Sequence, residues 1–471
     1  MSAVTDRSSS SPGSGAVPAG PAAEAPHTLL QPAPRTLSLL DQLGLWGNLG
    51  VSLLGPVGAI YLLQPGGVAP LSLLAAFTAL VVGTLLGSLL IGLAAVPGAQ
   101  TGAPSMVLLR GLLGARLSYL PTVLNMLQLV GWTVFEIVVI TSAAQQLLPW
   151  HGARWPYVII AGLLTIAMAL RPLGAVRVLR RYALGAVILA TVYLYAQLLR
   201  NPLPSATTGS WAGFWLACDV AIAVAVSWVP LASDYSRHSR RVRTAFLGGF
   251  GGYAVTQIAC YALGLIALST VVRASADAGV LQHDMFAAFI AVPVGWLAFG
   301  VIILRELDQS FADTYSTVVS IQNLRPGLDR RVLAVAVGGL ATLLALTLDI
   351  NDYYNFLALL GSVFVPMFAV FVVDYFLIRR NRYWDLSADA PARWAMLLPW
   401  LLGFATYQLI NPGYLGWWVG WWEAVRAALG WQPASWLSAS VLSFMVAAVA
   451  TLAVAPLDRR LVAAARRRAE P

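Results

Sequence analysis

Between Arg305 and Asp313 the chain reads RELDQSFAD, and five of those nine residues are charged or carboxamide. They interrupt an otherwise apolar run from about Trp296 to Ser320. A bilayer interior offers such groups no water, so each costs several kcal/mol unless it is paired or faces a cavity. On a helix turning about 100° per residue, Glu306, Gln309, Ser310 and Asp313 share one face, and Arg305, Asp308 and Ala312 share a neighbouring one. The simplest structural reading is an internal ion pair of Arg305 with Asp308 at i,i+3. It leaves Glu306 and Asp313 unexplained. Two carboxylates on one face at mid-membrane point to a ligand or a proton.

Two further polar groups stand out. Trp132 and Glu136 are i,i+4 neighbours in an apolar stretch, so they share a helix face. A tryptophan face beside a carboxylate suits a flat heterocycle, which stacks on one and donates N–H bonds to the other. Trp132 alone would equally serve core packing. Near residue 228 the order is Trp228, Pro230, then ASDYSRH, with Asp219 upstream; Pro230 removes a backbone donor and breaks a helix. The first apolar segment, LWGNLGVSLLGPVG, is rich in Gly and Pro, with Asn48 and Ser52 as its polar side chains. Broken helices at corresponding places in two halves of a chain mark a transporter's binding site. Any single glycine there would also serve close helix packing.

These groups need a scaffold, and composition says which kind. The chain has 471 residues, 59% hydrophobic and 10% charged, against about a quarter charged in soluble proteins. Mean hydropathy is +0.74. Twelve apolar segments are each long enough to cross ~30 Å of hydrocarbon: about 43–63, 70–94, 119–147, 156–170, 182–199, 211–233, 244–272, 295–320, 332–349, 353–378, 393–411 and 434–456. Every basic residue is arginine. The even-numbered connections and the carboxyl end hold 21 arginines, and the odd-numbered connections hold 4. That alternation predicts both chain ends in the cytoplasm. Trp417, Trp418, Trp421 and Trp422 then fall in the last outer loop, at the level of the membrane interface. The net charge of +9 thus marks one membrane face rather than a nucleic-acid surface.

Residues 1–36 read as a disordered tail, 37–456 as the transmembrane domain and 457–471 as a basic tail. The first apolar run is a full span, not a signal peptide. Residues 281–320 would measure ~60 Å as one straight helix, so 281–294 is expected as a short outer helix turning into the eighth span near Gly295. Cys218 and Cys260 lie in apolar segments and read as packing thiols. The four histidines, His27, His151, His238 and His283, fall in the tail or loops, and no phosphate-binding loop is present; both facts argue against a membrane-embedded enzyme. No span carries a repeated polar stripe, which argues against a channel. An amino-acid or polyamine carrier remains the alternative within transport, although stacking tryptophans favour a planar ring.

Five ordered motifs carry a resemblance. GAQTGAPSMVLLRGLLGARLSYLP with LVGWTVFE, then SWVPLASDYSR, FADTYSTVVSIQN and VVDYFLIRR, resemble the nucleobase–cation symporter family of cytosine, purine, allantoin, hydantoin and related permeases, from about Leu39 to Arg382. The resemblance implies an all-α fold with a five-plus-five inverted repeat of the LeuT type plus two helices. It implies a substrate between spans 1, 3, 6 and 8. Trp132 falls on the family's stacking tryptophan and Trp228 on a sixth-span tryptophan of the fungal-type purine–cytosine permeases. Gln309 and Asp313 fall where those permeases carry asparagines. Glu136 stands where members usually have Asn or Gln. Sodium-coupled members carry Ser or Thr hydroxyls on the eighth span where this chain has Leu307 and Asp308. An aspartate in the eighth span is also similar to the hydroxymethylpyrimidine permeases.

The combined expectation is a monomeric multi-pass transporter of the bacterial inner membrane that imports a nucleobase-like heterocycle by cation symport. No bound cofactor is expected, only co-transported H+ or Na+, with the proton favoured. Substrate contacts are expected from Trp132, Glu136, Trp228, Gln309, Asp313 and Asn48. Cation coupling is expected from Asp308, Ser52 and Glu306.

Overall fold

The computed structural model describes residues 35–469, except 67–69, 171–174, 271–276, 326–327, 381–383 and 414. The expected tail therefore falls outside the described residues, apart from Arg35 and Thr36. These two are held: Arg35 donates to the Gln100 carbonyl, and the Thr36 carbonyl accepts from Arg240. Arg171, Arg273 and Arg382 also lie outside the described residues.

The described elements are helical. In order they are α1 (Leu39–Leu49), α2 (Leu54–Leu63), α3 (Leu73–Thr101), α4 (Ser105–Leu113), α5 (Tyr119–Leu147), α6 (Trp155–Leu170), α7 (Ala175–Leu198), α8 (Phe214–Val226), α9 (Ala232–Ser236), α10 (Val242–Leu247), α11 (Tyr253–Thr270), α12 (Ala278–Ala291), α13 (Gly295–Leu324), α14 (Arg330–Thr347), α15 (Tyr353–Val372), α16 (Leu397–Ile410), α17 (Gly416–Ala428) and α18 (Ala439–Ala469). Among the described residues, seven helical stretches are long and apolar enough to span a membrane, and the pair α1–α2, bent by 67°, makes an eighth. The shorter apolar helices Trp155–Leu170, Gly185–Leu198 and Trp394–Ile410 supply three more. The thirty-residue α13, which carries Arg305, Glu306, Asp308 and Asp313, would make twelve.

Packing reveals the repeat. The second span (α3) lies against the sixth (α8) as the seventh (α11) lies against the first (α2). The third pairs with the eighth (α5 with α13), and the fourth with the ninth (α6 with α14). Exchanging spans 1–5 with 6–10 maps this set of contacts onto itself, as a two-fold inverted repeat requires. Both equivalent contacts depend on small residues. A Cβ on Gly83 would come within 2.5 Å of the Cys218 carbonyl, and one on Gly264 within 2.3 Å of the Pro56 carbonyl. The last two spans (α16 and α18) pack on each other and on α15, outside the repeat. Leucines such as Leu163, Leu343 and Leu401 cover the outer faces, where lipid replaces water as the solvent.

Loop contacts sort the connections into two sides. On the arginine-rich side, Leu37 pairs with Ser239, Ala115 donates to the Ala390 carbonyl, and Arg393 donates to the Gly111 carbonyl. On the other, Ser72 donates to the Ser210 carbonyl, Arg154 to that of Leu348, and the Ala278 N–H to Asn351 Oδ1. The short α12 precedes α13 as expected, and the turn runs through Val294 at φ 57° into Gly295. Trp417 and Trp421 stay exposed on α17, whereas Trp422 is buried. The segment expected as a basic tail after residue 456 continues as helix in α18.

Three charged groups turn out to be anchors. Asp219 accepts from Ser438 Oγ (2.6 Å), the Ala439 N–H (2.8 Å) and the Ser440 N–H (3.1 Å), so it caps the start of α18. Asp234, in the SDYSR motif, accepts from the Ser105 N–H at 2.9 Å and holds the start of α4. Arg393 joins spans 10 and 12 through paired bonds to Asp374 (2.8 and 2.9 Å) and to Asp458 (2.8 and 3.0 Å).

Candidate functional site

The first span parts between α1 and α2, which exposes carbonyls at the end of one helix and N–H groups at the start of the next. Two adjacent residues of the eighth span meet them. Glu306, fully buried, accepts from the Leu53 N–H at 2.7 Å and from Ser52 Oγ at 2.8 Å. Ser52 in turn accepts from the Leu54 N–H at 3.0 Å. Arg305 donates to the Asn48 carbonyl at 2.6 Å and to Gln309 Oε1 at 3.0 Å, and lies 3.4 Å from Asp308 Oδ2. The carboxylate thus meets the positive helix start and the guanidinium the negative helix end, as the helix dipoles favour.

The sixth span breaks at the matching place. Helix α8 ends at Val226, and a 3-10 turn over Val229–Leu231 carries the chain past Pro230 into α9. The Ser227 carbonyl freed there accepts from Gln128 Nε2 at 2.9 Å. Gln128 lies one turn before Trp132 on the third span, and that spacing was the signal available for it in the sequence.

Between the two breaks and spans 3 and 8 lies a cavity lined by Ser52, Trp132, Glu136, Trp228, Gln309 and Asp313, together with Tyr253, Gln257, Tyr261 and Tyr353. Its free volume is about 30 Å³, roughly one water molecule's share. A heterocyclic ring therefore enters only as the surrounding helices part. Trp132 is set edge-on against Tyr353 and Phe356, with ring centroids 6.0 and 5.2 Å away. The Trp228 and Tyr253 rings face each other at a tilt of 55°, with centroids 6.3 Å apart. Glu136 on span 3 and Asp313 on span 8 both line the cavity.

Four buried polar atoms in this wall have no hydrogen-bond partner among the described residues: the Tyr261 and Tyr353 hydroxyls and two carbonyl-type acceptors. Of the acceptors, one is Glu136 Oε2, the other Gln257 Oε1. Gln257 Nε2 donates to the Ala221 carbonyl (2.9 Å) and to Thr84 Oγ1 (3.0 Å), which turns its oxygen the other way. Sequence reasoning missed Gln257. It is an isolated carboxamide in the seventh span, and no motif drew attention to it.

Most of the expected site residues therefore meet in one place: Trp132, Glu136, Trp228, Gln309 and Asp313 line the cavity, as does Ser52. Asn48 is used differently, through its backbone carbonyl, because it closes α1. Glu306 and Asp308 lie beside the cavity, not in its wall; Glu306 is turned to span 1 and Asp308 to Arg305. Ser310 does not share the face of Asp313 but meets Thr165 of span 4 at 2.5 Å.

Comparison with known proteins agrees with this geometry. The putative purine-cytosine permease YxlA of Bacillus subtilis (strain 168) is 23% identical over 334 residues, covering 66% of this chain and 71% of the relative. Among solved structures, Mhp1, a nucleobase-cation-symport-1 family transporter in a closed conformation with bromovinylhydantoin bound, superposes with a TM-score of 0.67 at 15% identity, over 93% of this chain and 97% of that one. A manganese transporter of Eremococcus coleocola superposes at 0.56 and 17% identity, over 91% and 95% of the two chains, and shares the fold alone. The family model described as permease for cytosine/purines, uracil, thiamine, allantoin matches residues 44–388, and the chain belongs to that family of membrane transporters.

Proposed function

We propose that this protein imports a nucleobase-like heterocycle bearing N–H or exocyclic amino donors, of the cytosine, purine or related aminopyrimidine kind, by proton symport. The observation that carries the substrate half is the pair of unpartnered buried acceptors, Glu136 Oε2 and Gln257 Oε1, in a wall that also presents Trp132 and Trp228. A ring with two donors satisfies both acceptors and stacks on an indole face. An all-acceptor ring leaves them unpaired, which costs ~1–3 kcal/mol each. YxlA is named for purine and cytosine, and the bound Mhp1 ligand is a hydantoin; both are flat nitrogen heterocycles.

The proton is favoured because the eighth span offers Asp308 where sodium-coupled relatives carry a hydroxyl. Its side chain is 16% exposed, whereas Glu306 and Asp313 are buried. Protonation there would favour closure over substrate, and release on the other side would reset the carrier. The arginine asymmetry supports both chain ends in the cytoplasm and a place in the bacterial inner membrane. The complete cavity within one chain supports a working monomer. The test is uptake into proteoliposomes by a panel of labelled heterocycles, under an imposed pH gradient and, separately, an imposed sodium gradient. Uptake of an aminopyrimidine or purine driven by the pH gradient is expected. Uptake driven by sodium alone, or a preference for rings without donors, overturns the corresponding half.

A further inference from the structure

The break in the first span already contains a cation. The Arg305 guanidinium is nearly fully buried, and its three measured partners are oxygens: the Asn48 carbonyl at the end of α1 (2.6 Å), Gln309 Oε1 (3.0 Å) and Asp308 Oδ2 (3.4 Å). A backbone carbonyl at a helix end, a side-chain carbonyl and a carboxylate between a broken helix and its neighbour are the donor set a hard monovalent cation takes. Here a tethered positive charge holds those oxygens. The next residue, Glu306, binds the opposite lip of the same break through Ser52 and Leu53. Arg305 and Glu306 together therefore fasten span 8 to both ends of the broken span 1 without a dissociable ion.

We propose that Arg305 is a built-in cation at the break of span 1, so that the protein binds no sodium there, and that shortening Arg305 turns the same oxygens into a sodium site. Arginine keeps its charge at any working pH, so the tethered cation neither leaves nor titrates during a transport cycle. The idea deepens the coupling half of the reading above and is independent of which ring is carried. It also supplies the reason a proton, and not sodium, would have to drive uptake.

The test uses the purified full-length protein and sodium itself as probe, with no heterocycle present. Equilibrium binding of 22Na+ and melting temperature in NaCl against choline chloride at equal ionic strength are the readouts. The wild type is expected to bind no sodium above background and to melt alike in the two salts. Arg305→Ser adds a hydroxyl to the three freed oxygens. It is expected to bind about one sodium per chain and to gain a saturable, sodium-specific rise in Tm of a few degrees, because a ligand that binds only the folded state stabilises it by mass action. Arg305→Lys keeps a cation in the gap and should stay indifferent to sodium, which keeps the test informative if the serine variant does not fold. Saturable sodium binding by the wild type or by Arg305→Lys overturns the proposal. So does a folded Arg305→Ser that ignores sodium. Neither readout uses a substrate, so a wrong heterocycle leaves these results untouched.

Discussion

Replacing Glu136 with Gln tests the donor preference most directly, because the change is nearly isosteric. Glu136 is 2% exposed and packed one turn above Trp132, so a carboxamide fits where the carboxyl was. What changes is chemistry. The carboxyl presents Oε2 as an acceptor without a protein partner. The carboxamide keeps one oxygen and adds an NH2 that donates to the ligand. A ring donor that meets the NH2 instead of Oε2 loses a hydrogen bond worth about 0.5–1.5 kcal/mol and is left unpaired, at about 1–3 kcal/mol. The loss should be roughly tenfold in affinity or more for an amino-substituted ring. An oxo ring that met only acceptors should gain a donor and bind more tightly. The ratio of the two affinities should therefore shift by more than tenfold. The assay is competition by unlabelled cytosine-like and uracil-like rings against the labelled heterocycle that the wild type retains, in wild type and Glu136→Gln. If both affinities fall equally, or neither moves, Glu136 does not read the ring's donors and the argument from its unpartnered oxygen fails.

Trp132→Ala should weaken substrate binding at least tenfold at normal protein levels, because a base–aromatic stack is worth ~1–3 kcal/mol; isothermal titration of the folded variant checks it. Arg393→Met leaves the buried Asp374 and Asp458 with Arg379, 3.9 Å from each, in place of their paired bonds and should cost up to about 3–5 kcal/mol of stability. Replacing Asp374 and Asp458 by Asn in the same chain should restore much of that, read as melting temperature. Gly264→Ala puts a Cβ within 2.3 Å of the Pro56 carbonyl and 2.8 Å of Ala59 Cβ, so spans 1 and 7 must separate. A loss of about 1–3 kcal/mol is expected, seen as a lower melting temperature and less monodisperse protein on gel filtration.

The membrane class, the apolar helices and the two broken helices were legible because each leaves a one-dimensional trace. Apolar length records a span. Gly and Pro clusters at residues 47–56 and at Pro230 record the breaks. Trp132, Glu136 and Asp313, which the structure brings into one cavity wall, stood out for a similar reason: a carboxylate or indole deep in an apolar run has few other uses. Asp219 shows the limit of that reasoning. It has the same sequence signature, yet it caps α18, whose first residues lie more than two hundred positions further along the chain. A buried carboxylate must find donors, but the sequence does not say whether these are a ligand's or a distant helix's.

Helical periodicity placed Glu306 and Asp313 on one face, and the structure gave them separate tasks. A helix face is about a hundred degrees wide, and two helices, α2 and α5, share it. Gln128 and Gln257 went unnoticed because a lone carboxamide in a span is common and acquires meaning only from the carbonyl it meets, Ser227 in one case and Ala221 in the other. Composition and local pattern by themselves determined that this chain is a multi-pass membrane protein and carries polar groups within its apolar segments around Trp132, Trp228 and Arg305. Only the tertiary structure decided that Arg305 fills the gap in span 1, that Asn48 serves through its backbone, and which acceptors remain for a substrate. Those outcomes depend on contacts between residues far apart in sequence, whose partners are set by how the two halves of the repeat pack.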